Sequence, residues 1–301
     1  MYDCKDILKT DVICCLIITF NPDDNLLKLV NILLGQINKV IIVDNHSDNF
    51  EMSLFSELVC EDKVFIINNE ENFGIAKALN QGIDYAESNR YKWVLTFDQD
   101  SKPYSNIIDT LAKVYNSYPD KLKIGAIGVN AVKKDSDIYF KVSNHRDYLE
   151  KDYLITAGCL LSIEAFNKVG RFREDFFIDN VDLEYSLRLK KNGLVSLITS
   201  ACGMEHEAGN SKSSRWLGIK VSSTNHNSFR RYYMARNHII LSKEYFFCFP
   251  YFILKLNYFF FLSLFKILFV EDDKMKKINA SINGIKDGFF YRLKSNQNIN
   301  K

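Results

Sequence analysis

Two short segments of this chain carry acids at spacings that can do chemistry. In Trp93-Val94-Leu95-Thr96-Phe97-Asp98-Gln99-Asp100-Ser101 an apolar run breaks into two carboxylates one residue apart. Carboxylates that close repel each other, and a divalent cation, hydrogen bonds to a ligand or plain solvation in a turn relieves the repulsion. In Asp179-Asn180-Val181-Asp182-Leu183-Glu184 three acids open a helix. There they suit the positive end of the helix dipole, worth ~0.3–1 kcal/mol each, or can accept a proton. Arg236, after the aromatic pair Tyr232-Tyr233, has the planar fork that grips phosphate by two bonds. For Arg230 and Arg231 the alternative is a solvated helix face.

The elements that must position these groups are legible from periodicity. Val12 to Ile18 is a continuous apolar, β-branched run, the mark of a strand buried on both faces, and Thr19-Phe20-Asn21-Pro22 ends it. A helix over 23–34 follows, with leucines and Val30 at helical spacing. Strands over 40–43 and 64–67 run into Asp44-Asn45 and Asn68-Asn69. Asn72 is placed to cap the next helix, which begins near Gly74 and Lys77. After the strand ending at Asp98 come a helix over 104–118 and a strand over 124–129. Residues 133–152 are polar and read as a surface excursion. A strand over 155–161 has Gly158 in its middle, which suggests close approach of a ligand or another backbone. Strand and helix alternate, so the fold class is α/β with a doubly wound sheet whose ligands bind beyond the carboxyl ends of the strands.

Composition narrows the function classes. The 301 residues are 47% apolar and 14% aromatic, enough for a substantial core and unlike a disordered chain. The net charge of +2 conceals a basic stretch, since residues 211–255 hold eight Lys/Arg and one acid, Glu244. That suggests an anionic partner. Nucleic acid is not it, for no base-reading motif accompanies the charge. Seven cysteines without a C-x-x-C pair read as reduced core thiols and a cytoplasmic setting.

Taken in order, Thr19-Phe20-Asn21-Pro22, Asp44-Asn45, Asn72-x-Gly74-Ile75-Ala76-x-Ala78-Leu79-Asn80, Asp98-Gln99-Asp100-Ser101, Gly158, the 177–184 segment and Arg231-x-Tyr233-x-x-Arg236-Asn237 form an ordered set. The set resembles the inverting glycosyltransferases of family 2, most closely bacterial rhamnosyltransferases of surface polysaccharides such as O-antigen or capsule. The resemblance implies a GT-A mixed sheet over 1–240 and a helical, aromatic-rich extension over 241–301. It implies that Thr19, Asn21, Asp44, Asn45, Asn72, Gly74, Lys77, Asp98, Gln99, Gly158 and Arg236 surround a sugar nucleotide. By the same resemblance Asp100 and His206 hold Mg²⁺ or Mn²⁺ at the diphosphate, and Asp179 or Asp182 is the base that inversion requires. Where relatives often have a second acid, this chain has Asn180, so the choice between the two stays open. The implied donor is dTDP-L-rhamnose and the implied acceptor a lipid-linked saccharide. A UDP-hexose donor, or a catalytically silent sugar-nucleotide-binding scaffold, are the alternatives.

Residues 245–270 are strongly apolar and aromatic but interrupted by Lys255, Asn257 and Lys266, with Pro250 breaking the first part. Interfacial helices at the inner face of the cell membrane fit this better than a crossing, and a core or dimer-interface helix is the alternative.

Overall fold

The computed structural model describes residues 11–132, 146–205, 212–216 and 219–292. The chain runs β1 (Ile13–Thr19), α1 (Asn25–Leu34), β2 (Val40–Asp44), α2 (Ser56–Cys60), β3 (Val64–Asn68), α3 (Ile75–Ser88) and β4 (Trp93–Asp98). β5 (Lys102–Pro103), α4 (Ile107–Ser117), β6 (Ile124–Val132), β7 (Tyr148–Lys151), β8 (Cys159–Ser162), α5 (Ile163–Val169), α6 (Val181–Lys191) and β9 (Val195–Glu205) follow. The sheet order is β3-β2-β1-β4-β8-β6-β9-β5, with β7 also against β9.

β3, β2, β1 and β4 are mutually parallel, β8 is antiparallel to both its neighbours, and β6 pairs parallel with β9. The sheet is therefore mixed, as expected. The apolar run of β1 is buried at nearly every position because helices cover both faces, and α1 turns Leu26, Leu29, Val30 and Leu33 onto it. The parallel register ends with Thr19 opposite Asp44, Asp44 opposite Asn68, and Ile18 opposite Asp98. Polar residues are thus delivered side by side to one edge.

Three local expectations need correction. The strand read over 155–161 starts only at Cys159, because Gly158 (φ +68°) makes a turn. Part of the 133–152 excursion, Tyr148–Lys151, is β7, stabilised by antiparallel pairing with β9 that the local sequence does not announce; residues 133–145 lie outside the described residues. Asn72 does not cap α3, whose N-cap is Gly74.

The contacts divide the chain into two compact units: one of residues 1–177 and 181–207, the other of 178–180 and 208–301. The second holds the hairpin β10 (Lys212–Trp216) and β11 (Ile219–Ser223), and helices α7 (Ser228–Tyr245), α8 (Pro250–Val270) and α9 (Lys274–Phe290). A boundary at 240 would cut α7, which packs lengthwise on α9. That packing is close, for a Cβ on Gly284 would lie 2.3 Å from the Tyr232 carbonyl oxygen, and one on Gly288 2.6 Å from that of Arg236.

Charges are buried in this unit as well. Glu271 is paired with Arg231 and, at 3.1 Å, with Lys277, all three nearly inaccessible, and it accepts from Ser223. His238 sends Nε2 to Asn257 Oδ1 at 2.7 Å and stacks on Phe260. Pro250 occupies the first turn of α8 instead of breaking it, so α8 is one helix of 21 residues. It is long and apolar enough to cross a membrane. Only Ile253 and Ile267 of α8 are fully buried, while Tyr251, Leu254, Tyr258, Phe259, Phe261 and Phe265 are exposed.

Candidate active site

At the carboxyl edge of β1 and β2 the side chains are locked together. Thr19 Oγ1 donates to Asp44 Oδ1 at 2.8 Å, Ser47 N–H to Asp44 Oδ2 at 2.8 Å, and Ser47 Oγ to Oδ1 at 2.5 Å. A carboxylate offers about four acceptor positions, so the buried Asp44 keeps about one for anything else. Asn21, in the left-handed region at φ 48°, donates its N–H to Ser47 Oγ at 2.7 Å and accepts from Asp48 N–H at 2.9 Å. Ser47 carried no signal in the sequence, yet it ties the β1 turn to the β2 turn.

A second network holds the loop before α3. Asn45 Nδ2 donates to Asn72 Oδ1 at 2.8 Å, and Asn45 Oδ1 accepts from Asn69 Nδ2 and Phe73 N–H, both at 3.1 Å. Asn69 and Gln81 exchange amide bonds at 2.7 and 3.0 Å, and Gly74 N–H donates to Asn72 Oδ1 at 3.0 Å. Gly74 itself is obligatory. At φ +83° a Cβ there would sit 2.6 Å from the ring and the carbonyl oxygen of Phe177, to which Ile75 N–H donates at 2.7 Å.

Lys77 pairs with Glu174 at 3.3 Å on a half-exposed surface. The buried Asn80 clamps the Phe172 backbone from both sides, donating to its carbonyl at 2.9 Å and accepting its N–H at 3.0 Å.

The β4 end contributes the two-acid turn. Gln99 does not project into space: its amide brackets the Phe20 backbone, so the β1 and β4 turns are joined. Asp98 is partly buried at the strand end, whereas Asp100 is exposed and makes no hydrogen bond or ion pair with the described residues. Two strand spacings separate Asp44 from Asp98, about 10 Å.

Among the described residues no three His, Cys, Asp or Glu groups gather as a metal site, and His206 lies outside the described residues. The exposed Asp100 carboxylate fits Mg²⁺ or Mn²⁺, since such ions are commonly held by one or two carboxylates plus substrate phosphate oxygens.

Gly158 is crowded by the sheet itself. A Cβ there would lie 2.6 Å from both Met204 Sδ and Val129 Cγ2, so sheet packing demands glycine. Asp182, in the first turn of α6, accepts from Leu183 N–H at 2.8 Å. Burial, then the Asp182 charge, raises the Tyr153 phenol above its usual range. Glu184 is buried and held at both oxygens by Arg188 at 3.1 and 2.9 Å, a structural pair.

The remaining two predicted residues group with the second unit. Arg230 holds Asp179 with both arms of its guanidinium, Nε to Oδ2 at 2.9 Å and Nη2 to Oδ1 at 3.0 Å. Asn237 Nδ2 donates to the carbonyls of Ile178 and Asp179 at 2.9 and 3.0 Å. Arg236 donates to Asn237 Oδ1 at 3.0 Å and lies over the Tyr291 ring.

The half-parallel mixed sheet, with acids and amides at the carboxyl edge of β1, β2 and β4, has the architecture of a GT-A glycosyltransferase. Residues 14–173 match glycosyl transferase family 2, and the chain belongs to that family. It is 31% identical over 243 residues to dTDP-rhamnosyl transferase RfbF of Shigella flexneri, covering 76% of this chain and 79% of the relative. Two solved structures share the fold at low identity. The mannosyltransferase PcManGT from Pyrobaculum calidifontis, in complex with GDP-Man and Mn²⁺, is 14% identical with a TM-score of 0.58, over 94% of this chain and 76% of that one. GalNAc-T7 with UDP, GalNAc and Mn²⁺ is 12% identical with a TM-score of 0.59, over 80% of this chain and 48% of that chain, so this chain spans about half its length.

Proposed function

We propose that this enzyme transfers L-rhamnose, with inversion, from dTDP-L-rhamnose to a lipid-linked saccharide in the synthesis of a cell-surface polysaccharide. The observation that carries the donor assignment is the similarity to a dTDP-rhamnosyl transferase across three quarters of the chain. In this reading the turn of Thr19 and Asn21, the remaining acceptor position of Asp44, and the amides of Asn45 and Asn72 frame the base and ribose. Asp98 faces the nucleoside or sugar, with Gln99 fixing its turn. Asp100, with His206, would hold a divalent cation, which when bound neutralises the diphosphate and eases its departure. The acceptor hydroxyl gives its proton to Asp179 or Asp182.

The deciding experiment is a panel of nucleotide sugars with and without EDTA. Rhamnosyl transfer that EDTA abolishes is expected. Selective consumption of a UDP-hexose overturns the donor, and full activity in EDTA removes the cation from the mechanism. Asn180, standing where relatives often have an acid, favours one further reading, a silent donor-binding scaffold; donor binding without turnover on any acceptor would establish it.

The same proposal places α8 flat against the inner membrane surface. Its apolar side is exposed, and Lys255 and Lys266 lie about three turns apart, hence on one side of the helix, where they reach anionic headgroups. Asn257, which interrupts the sequence run, faces α7 through His238 and Ser242, not the lipid side.

A further inference from the structure

We infer that Arg230 and Asn237 of α7 are positioning residues that hold the acid-bearing segment 178–180 in its working conformation. The inference rests on the proposed role of the acids at 179 and 182 in taking up the acceptor proton.

The backbone of this segment does not hold itself. Asp179 and Asn180 stand at φ 65° and 61°, a region that Asp and Asn visit more readily than other residues with a side chain, but as single residues and not in succession. Among the described residues of the C-terminal unit, helix α7 supplies such a restraint. Residues 230 and 237 are about two turns apart and therefore share a side of α7. From that side Asn237, fully buried, donates its amide to two successive carbonyls, those of Ile178 and Asp179. Its own oxygen is held by Arg236, which fixes the amide orientation.

Arg230 adds a two-point grip on the Asp179 carboxylate, with 2.9 and 3.0 Å contacts. That grip uses about two of the carboxylate's four acceptor positions and leaves the others for a proton or a substrate hydroxyl. Arg231, the next residue, turns away to the buried Glu271, which Lys277 also holds, and anchors α7 itself. Arg230, just ahead of the Arg-x-Tyr-x-x-Arg-Asn run, and Arg236 and Asn237 at its end thus serve as a scaffold for an acid, which differs from the phosphate contact expected of Arg236.

The test uses the full chain with dTDP-L-rhamnose and a lipid-linked saccharide acceptor, reading dTDP release. Arg230→Ala is expected to lower kcat at least about tenfold while leaving the donor KM within about twofold, a split that marks lost positioning instead of lost binding. Because the Arg230 side chain is 40% exposed, guanidinium ion can enter the space left, and millimolar guanidinium chloride is expected to restore much of the rate. Arg230→Lys, with a point charge and no fork, is expected to fall between, and Asn237→Ala to lose kcat in the same way. In an Asp179→Asn background Arg230→Ala is expected to cost little more.

Unchanged kcat in Arg230→Ala, absence of rescue, or an undiminished loss in the Asp179→Asn background would each overturn the inference. Failure of the underlying reading looks different: Asp179→Asn and Asp182→Asn would each turn over like wild type. Should Arg230→Ala not fold, Arg230→Lys with wild-type kcat overturns the inference equally.

Discussion

The Gln99 side chain completes a two-way bond on the backbone of Phe20: the Phe20 N–H donates to Oε1 at 2.7 Å, and Nε2 donates to the Phe20 carbonyl at 3.2 Å. An amide used this way imitates a strand neighbour and links the ends of β1 and β4 where no ladder continues. Gln99→Ala should therefore loosen both turns at once. Donor KM is expected to rise about tenfold, and Gln99→Glu, which keeps the acceptor but loses the donor, should fall between. Donor binding by calorimetry alongside steady-state rates checks this, and an unchanged KM in the alanine variant would count against Gln99 as the joint.

Gly74 carries a sharper constraint. Alanine there must adopt φ +83° and place its methyl 2.6 Å from Phe177, two costs that together amount to at least ~2 kcal/mol. The Gly74→Ala chain is expected to melt several degrees lower, and turnover should suffer more than stability because the Ile75–Phe177 bond is displaced. Thermal melts and rates on the same preparation separate the two effects.

The two acids of the β4 turn are expected to divide in role. Asp100→Asn should lose turnover by about a hundredfold and weaken the dependence of donor binding on Mn²⁺, with the fold intact because the carboxylate is exposed. Asp98→Asn should be the milder change. Equal Mn²⁺ dependence of donor binding in Asp100→Asn and wild type would exclude Asp100 as the cation ligand.

His238 sets a pH dependence. Burial lowers its pKa to about 4 from 6.5, so the folded chain keeps it neutral well below the pH at which the unfolded chain takes up a proton. Its contribution is fully present above pH 6.5 and is lost as pH falls from 6.5 toward about 4, to an extent of roughly 3 kcal/mol. His226, shifted in the same direction by burial and by Arg230, adds to the loss with the same sign. Urea unfolding at neutral and mildly acidic pH is the measurement: His238→Gln should lose distinctly less stability on acidification than wild type. Parallel losses would show that other groups govern the acid limb.

For α8 the measurable consequence is partition onto lipid. Replacing exposed Phe261 and Phe265 by serine should reduce binding to anionic vesicles by at least about tenfold, while Lys255→Gln with Lys266→Gln should weaken it chiefly at low salt. Vesicle flotation at two salt concentrations tests this. A chain that stays in solution with anionic vesicles would overturn the membrane reading, and dimerisation that the serine variant abolishes would identify α8 as a protein contact.

Much of the sheet was legible because its strands are buried on both faces and read as unbroken apolar runs, as in Val40–Asp44 and Trp93–Asp98. β7 was not, because Tyr-Leu-Glu-Lys has no pattern of its own and exists by pairing with β9. The acids were visible as acids, but their partners were not. Ser47, Asn69, Asn80 and Gln81 are ordinary polar residues in loops or on a helix, and what distinguishes them is a neighbour 12 to 92 positions away or a tight turn. Gly158 stood out as a point of close approach, and the neighbours that crowd it, Val129 and Met204, are ones that only the folded sheet supplies. Pro250 misled in the opposite sense, since a proline that breaks a helix in its interior begins one at its first turn.

The glycines of α9 impose a rule on length. Lys277 must reach Glu271 while Gly284 and Gly288 meet the α7 backbone, and all three conditions are met in one helical phase. Inserting a single residue between Lys277 and Gly284 would rotate one contact about 100° away from the other. Helix α9 therefore tolerates substitution on its outer side far better than it tolerates any change of spacing.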